Sequence, residues 1–263
     1  MKVLVTVSEV ATVDDEFEIE DLGVDPRYLT YDLNEWDDYA VEEAVQLAEA
    51  GDNVEVVTVT IGPERSEETI RQARAKGADR AIRVWDEALE DVAVLDPMTK
   101  ARVLAAVVED EEPDLVLTGV QTGDDSFGAT GVALASAVDY AWAAVVNHLD
   151  YEVGDDVATV HRELEGGVEE LAEVAVPAVL TIQTGINEPR YASLRGIRQA
   201  QSKPLDVQAL GDLGLSGEDL PLALDLTGLA VPEVESDVEF FAGDATDAAG
   251  QLADLLREKG VGA

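Results

Sequence analysis

From Val3 to Thr118 short apolar runs alternate with stretches whose apolar residues recur at three- and four-residue intervals, and few topologies accommodate that alternation. Val3 to Val7 reads as a buried parallel strand. Residues 9 to 33 carry many acids and little periodicity, and read as a long connection. After Asp37 and Asp38, Val41, Ala44, Val45 and Ala48 mark a helix that Gly51 stops. Val54 to Ile61 is a strand ended by Gly62-Pro63. Ser66 is then expected to cap a helix whose first turn is acidic (Glu67, Glu68) and whose last turn is basic (Arg74, Lys76), in accord with the macrodipole. Ala81 to Trp85 is the next strand. Asp96-Pro97 opens a helix with Ala101, Leu104, Ala105 and Val108 on one face, and Leu115 to Thr118 is a fourth strand. Such βαβ units predict an α/β fold, a parallel sheet with helices on both faces.

Later the pattern changes. Val157 to Glu163 and Val168 to Val176, separated by Gly166-Gly167, read as an antiparallel hairpin addition, and Val179 to Ile182 as a short strand. After Asp206 few periodic segments occur until a helix at about Ala245 to Lys259, striped by Leu252, Leu255 and Leu256. The expected division is an α/β domain over 1–205 and a C-terminal arm ending in a helix over 206–263. Residues 206 to 243 are rich in Gly, Pro and acids, and read either as an arm packed on something else or as a disordered acidic linker.

Of 263 residues, 57 are Asp or Glu and 17 Lys or Arg, a net charge of −40. The acids are spread through every segment while 46% of residues are hydrophobic, so the charge reads as a folded surface. At molar salt the screening length falls to about 3 Å and most of the self-repulsion disappears, which points to a salt-rich cytoplasm. Such a surface repels nucleic acid and anionic lipid. The absence of cysteine excludes disulfides, thiolate catalysis and Cys-based metal sites. No apolar run nears the roughly 20 residues of a membrane span, and Met1-Lys2-Val3 enters a strand instead of a signal peptide. A cytoplasmic chain without membrane insertion is expected.

The fourth strand runs into a glycine-rich loop, Gly119 to Gly131, with Gln121, Gly123, Asp124, Asp125, Ser126, Phe127, Gly128, Ala129 and Thr130 along it, and then into a helix. Free N–H groups and the positive end of the helix dipole favour a phosphate there, and glycines let a ligand approach the backbone. The loop matches neither Walker A nor GxGxxG. Asp124 and Asp125 would repel a phosphate at contact distance and read as ribose-hydroxyl ligands or helix caps. His148 and His161 form no metal or acid–base pattern and read as structural. Carboxylate pairs are uninformative in so acidic a chain, and no GxSxG nucleophile motif is present. These residues perform no bond chemistry by themselves.

Asn187 to Pro204 departs from the acidic background: between Pro189 and Pro204 lie Arg190, Arg195, Arg198 and Lys203 and no carboxylate. Tyr191, Leu194 and Ile197 recur at a spacing that lines one side of a short helical turn. The segment reads as a surface loop with a buried apolar foot or as a docking segment.

The run Asn187-Glu188-Pro189-Arg190-Tyr191-Ala192-Ser193-Leu194, with Ile197 and Ala200 downstream, resembles the signature of the electron transfer flavoprotein β subunit. Ala40-Val41-Glu42-Glu43-Ala44, Glu68-Thr69-Ile70-Arg71 with Gly77-Ala78-Asp79-Arg80, and Pro113 to Leu117 with Gly119, Gln121, Asp124, Asp125, Thr130 and Gly131 resemble the same family in the same order. Arg162 to Gly167 and Pro177-Ala178-Val179 extend the likeness, which covers roughly residues 1 to 215.

The resemblance implies a small subunit that pairs with a larger α subunit holding the redox-active FAD, the pair carrying electrons from acyl-CoA and related dehydrogenases to a membrane quinone reductase. It implies AMP, or a second FAD in its place, on the loop from Gly119 to Thr130, assisted by Thr6, Asn34 and Ile61. Thr130-Gly131 leans toward AMP. Trp36 falls where the family places an aromatic near the α-subunit flavin, and Arg190, Tyr191, Leu194, Arg195 and Ile197 fall in its partner-docking segment, with Leu194 as the anchor. The chain departs from the family at Ser8-Glu9, where a basic pair is common, at Glu35, where a proline follows the asparagine, and after Ala200, where a single lysine, Lys203, remains of a usual run. Two rivals share the fold: a stand-alone adenine-nucleotide-binding module of the stress-protein type, and an adenylate-handling enzyme, against which the lack of a Ser-Gly-Gly-x-Asp loop argues.

Overall fold

The side-chain alternation of a strand buried on both faces is plain at β1 (Lys2–Thr6) in this computed structural model, which describes residues 1–90, 92–231 and 238–261. Val3 and Val5 pack with Ala40, Val41 and Ala44 on one side of the sheet, whereas Leu4 joins Leu104 and Val108 on the other. Each such side chain, fully buried, stabilises the fold by roughly 1.5–3 kcal/mol.

Residues 9–33 are not an unstructured connection. β2 (Glu9–Val13) pairs antiparallel with β5 (Leu29–Leu33), and β3 (Ile19–Glu20) with β4 (Gly23–Val24) forms a smaller pair between them. The ladder is mostly half-buried or exposed, so its sequence carries acids where a core strand carries valines.

Then come α1 (Glu35–Ala50), β6 (Glu55–Ile61), α2 (Glu67–Lys76), β7 (Arg80–Val84), α3 (Glu87–Glu90), α4 (Pro97–Glu111), β8 (Leu115–Gly119) and α5 (Thr130–Val138). α1, α2 and α4 fall where the periodicity places them and α5 follows the glycine-rich loop, whereas the four-residue α3 has no counterpart in the expected pattern. Ser66, however, does not cap α2: its hydroxyl donates to Glu9 Oε1 (3.1 Å). Asp96 does cap α4, Oδ1 accepting from Met98 N (2.8 Å) and Thr99 N (3.0 Å).

The chain continues through β9 (Ala141–Asp150), β10 (Val157–Leu164), β11 (Val168–Ala175), β12 (Ala178–Ile182), α6 (Leu194–Ser202) and β13 (Asp206–Gln208). One nine-stranded sheet results, in the order β11-β10-β9-β12-β8-β1-β6-β7-β13. From β9 to β13 neighbours are parallel; β10 and β11 extend the sheet antiparallel beyond β9. The expected hairpin is thus an edge of the main sheet. His148 and His161 face each other across β9 and β10, ring centroids 4.7 Å apart.

The first compact unit is Met1–Leu229, extending past the division expected at 205/206. β13 adds to β7, Leu210, Leu215 and Leu220 are buried with α4, and Asp96 Oδ2 accepts from Ala223 N (2.7 Å) and Leu224 N (3.1 Å). A three-residue edge strand and single anchoring leucines leave no periodic trace. The second unit, Ala230–Ala263, contains α7 (Ala245–Glu258), capped by Asp244 as its side chain accepts from Thr246 N and Asp247 N. Residues 232–237 of the expected arm lie outside the described residues. Among the described residues no helix is long and apolar enough to cross a membrane.

Candidate functional site

The chain lays β1, β6 and β7 outward in one direction, then returns to place β8 on the other flank of β1. Between the carboxyl ends of β1 and β8 the winding reverses, and in open α/β sheets ligands bind in that crevice. A cavity of about 480 Å³ opens there. Thr6, Ile61 and Gly119, each at or beside the carboxyl end of a different strand, line it. So do Gln121, Asp124, Asp125, Gly128, Ala129 and Thr130 of the loop.

The loop's remaining expected residues lie elsewhere. Asn34 is fully buried behind the loop, its Nδ2 donating to Gln121 O (2.9 Å) and its Oδ1 accepting from Gly123 N (3.2 Å). It shapes the loop rather than facing the cavity. Ser126 takes a left-handed turn (φ 54°), its N–H donating to Thr122 O (3.1 Å), and Phe127 is 39% exposed.

Asp124 and Asp125 do not cap α5. The N-cap is Ala129, whose side chain accepts no hydrogen bond, so the first-turn amides of α5 retain their donor character and their positive dipole end. Asp125 instead receives Lys100 Nζ (2.6 Å), Thr122 Oγ1 (2.8 Å) and Phe127 N (3.0 Å). Burial works against its charge, but Lys100 and the loop donors outweigh it and hold the carboxyl below the usual range. Asp124 accepts from Ala11 N (3.3 Å), tying β2 to the loop. α5 sits tight on the sheet at Gly131, where a Cβ would come 2.5 Å from Thr118 Oγ1 and 2.6 Å from Thr181 Cγ2.

Asp37, Lys100 and Arg65 are among the cavity residues that lack a signal in the pattern. Asp37, in the first turn of α1, is 2% exposed and accepts from Ser8 N (2.7 Å) and Gly119 N (2.9 Å). Burial pushes its carboxyl up to about 6 in spite of those amides. Gly119 must lack a side chain, because a Cβ would lie 2.6 Å from Asp37 Oδ1 and from Trp36 Cβ. Trp36 is half-buried beside the loop, its indole N–H donating to Gln183 Oε1 (3.1 Å). Arg65 lies 4.3 Å over the Tyr31 ring and pairs with Glu9 (2.9 Å), stapling the β2–β5 ladder to the cavity rim.

The segment from Asn187 to Pro204 is held from beneath. Asn187 Nδ2 donates to Tyr39 O (3.1 Å) and Glu43 Oε2 (2.9 Å), while Arg190 donates to Glu42 and Glu49 of α1. Glu49 and Glu42 together push the guanidinium pKa upward. Arg190 therefore anchors the segment internally, a role its place among exposed cations does not suggest. Ser193 caps α6 by accepting from Gly196 N (3.0 Å), and α6 packs on α2 where a Cβ on Gly196 would clash with Ala75 O. Tyr191 precedes the helix, so only Leu194 and Ile197 share its surface. Tyr191 is 98%, Leu194 77% and Ile197 39% exposed; Arg195 is exposed and Ala200 is the buried foot.

A mainly parallel sheet with a crevice at its switch point and a bare helix end facing that crevice defines a doubly wound α/β protein. Residues 21–213 match the electron transfer flavoprotein domain. The chain is 44% identical to the electron transfer flavoprotein subunit beta of Methylophilus methylotrophus over 98% of both chains. It is 39% identical to that of Sus scrofa over 90% of this chain and 89% of the relative, and 35% identical to the mitochondrial subunit of Arabidopsis thaliana over 81% and 83%. The chain belongs to the electron transfer flavoprotein family, as a member of the β-subunit type.

Proposed function

We propose that the chain is the smaller subunit of a heterodimeric electron carrier, binding AMP at the switch-point crevice, walling part of an FAD held by an α subunit, and docking electron-donating dehydrogenases. The observation that carries the nucleotide reading is the uncapped α5 N-terminus opening into a cavity of about 480 Å³, within the size of small-molecule sites, roughly 300–1,000 Å³. The donor set fits a nucleoside monophosphate: amides of α5 suit one phosphate, the carboxylates of Asp124 and Asp125 at the rim suit ribose hydroxyls, and Thr6 and Ile61 suit a base edge and face. A second FAD is the alternative occupant.

The flavin supplies the redox chemistry when bound, and this chain orients and shields it. Trp36, fixed by Gln183 and by the loop, is proposed as an aromatic wall of that site. Leu194 and Ile197 on α6, with the exposed Tyr191 just before it, are proposed to seat acyl-CoA dehydrogenases, with Arg195 setting orientation. A membrane quinone reductase is the proposed acceptor, and the unit containing α7 is proposed to pack on the α subunit. The working place is proposed to be a salt-rich cytoplasm.

The test is to purify the chain co-expressed with its α-type partner, extract with acid and weigh the released nucleotides. AMP and FAD in equal amounts are expected; FAD alone at twice that amount places a flavin in the crevice instead, and a colourless homodimer removes the carrier reading.

A further inference from the structure

Arg74, in the last turn of α2, is 7% exposed, and among the described residues no carboxylate pairs with it. Its guanidinium meets carbonyls instead: Nη1 donates to Pro204 O (2.8 Å) and Lys203 O (3.4 Å), and Nη2 to Asp79 O (3.3 Å). Nε has no partner among the described residues. Burial, and then Arg71, push the guanidinium below the ordinary arginine range. A buried cation without a counter-ion is costly, and in a chain with 57 acids its isolation sets it apart. Neighbouring cations behave otherwise: Arg71 pairs with Glu67 (3.0 Å), Lys76 with Asp38, and Arg80 with Glu55 (2.8 Å). The carbonyls that Arg74 holds belong to the exit of α6. The last carbonyls of a helix lack partners within it, and a cation suits the negative end of its dipole. Pro204 has no N–H and β13 begins only at Asp206, so the link after α6 has little ladder of its own. The guanidinium fork joins that link to Asp79, in the turn between α2 and β7. At the entry of the segment, Arg190 donates to Glu42 and Glu49 of α1. α6 is thus held at both ends and by Ala200 beneath, which leaves Leu194 and Ile197 on its outer surface.

We propose that Arg74 is a positioning residue for the docking of a partner dehydrogenase, fixing the exit of α6 so that Leu194 and Ile197 are presented in one pose. Being buried, it acts through α6 and not by touching the partner. A helix already held in its bound pose loses less freedom on association, and that saving appears as affinity. The inference rests on the docking reading above and deepens it by naming the side chain that orients the helix.

The experiment uses the two-subunit protein as the varied electron acceptor of a purified acyl-CoA dehydrogenase, with amide hydrogen exchange followed over residues 194–204 of the free carrier. Arg74→Met, which fills the space without donors, is expected to raise KM for the carrier about fivefold or more with kcat within about twofold, and to speed exchange at the C-terminal amides of α6 about tenfold. Arg74→Lys, which keeps the charge but not the fork, is expected to raise KM about threefold. Arg71→Gln, which removes a partly exposed cation of the same helix, is expected to match wild type. Unchanged exchange in Arg74→Met overturns the inference, as does a KM that stays at the wild-type value or a loss confined to kcat. Equal impairment of the Met and Lys variants, or of Arg71→Gln with either, moves the effect away from the fork and overturns it too. Leu194→Ala is measured alongside. Transfer slowed there but not in Arg74→Met removes the inference and leaves the docking reading standing; transfer unchanged in both, or a wild-type carrier that takes no electrons, removes both. Should Arg74→Met not fold, Arg74→Lys decides, a wild-type KM overturning the inference.

Discussion

Arg190 and Glu42 exchange three hydrogen bonds: the Arg190 amide at 3.1 Å, Nε at 2.8 Å and Nη2 at 3.0 Å. The Glu42 side chain is 4% exposed and that of Arg190 32%. Burial opposes the Glu42 charge, but Arg190 and Gln46 outweigh it and lower the pKa. A lowered carboxyl pKa contributes stability that is present above the unfolded value and lost as pH falls through the folded one. Arg190→Ala strands a buried carboxylate, and with the partner partly solvated the expected cost is about 1–3 kcal/mol at pH 7. The deficit should shrink as pH falls through the lowered folded-state value of Glu42, where the carboxyl takes up a proton even beside Arg190. Denaturant melts of both proteins across that range check this; a deficit independent of pH removes the charge argument. The role of Arg190 was not legible from sequence, because burial of its acidic partner depends on how α1 meets the docking segment. Asp37 was hidden for a different reason: as one of 57 acids, it has no local pattern that separates it from surface charge.

The proposed docking element combines an anchored foot with exposed apolar side chains. α6 rests on α2 through Gly196 and Ala200, while Leu194 projects with 77% of its surface exposed. Two substitutions separate these halves. Leu194→Ala removes little buried area, so the unfolding free energy should stay within about 0.5 kcal/mol of wild type, while reduction by a partner dehydrogenase slows by tenfold or more, roughly a hot-spot loss. Gly196→Val drives a side chain into Ala75 O and should lower stability by about 1–3 kcal/mol along with transfer. Unchanged transfer in Leu194→Ala takes the anchor role away. Elements with a buried stripe, such as α1 and α4, were legible to within a few residues because hydrophobic burial writes a period into the chain. β2, β5 and β13 were not, since edge and surface strands are held by backbone hydrogen bonds that leave side chains free to be acidic.

At the scale of the whole molecule the parallel sheet and its switch-point crevice follow from the order of strands and helices, while the net charge of −40 governs the conditions under which they persist. Several cations are spent on local pairs that salt disturbs little: Arg80 and Lys2 both hold Glu111, whose side chain is 9% exposed, and Lys100 holds the half-buried Asp125. The uncompensated acids lie mostly on the surface, where their mutual repulsion reaches about 30 Å at 0.01 M salt and about 3 Å at 1 M. Raising KCl from millimolar to molar therefore relieves far more repulsion than it weakens attraction, and the melting temperature should climb through that range. Near-exposed pairs such as Arg257 with Asp254 give up little in exchange, since such pairs contribute under about 1 kcal/mol at any salt. Calorimetric melts across the KCl series decide it. A melting temperature that stays level or falls as KCl rises would mean that ion pairs, not repulsion among the acids, dominate this surface.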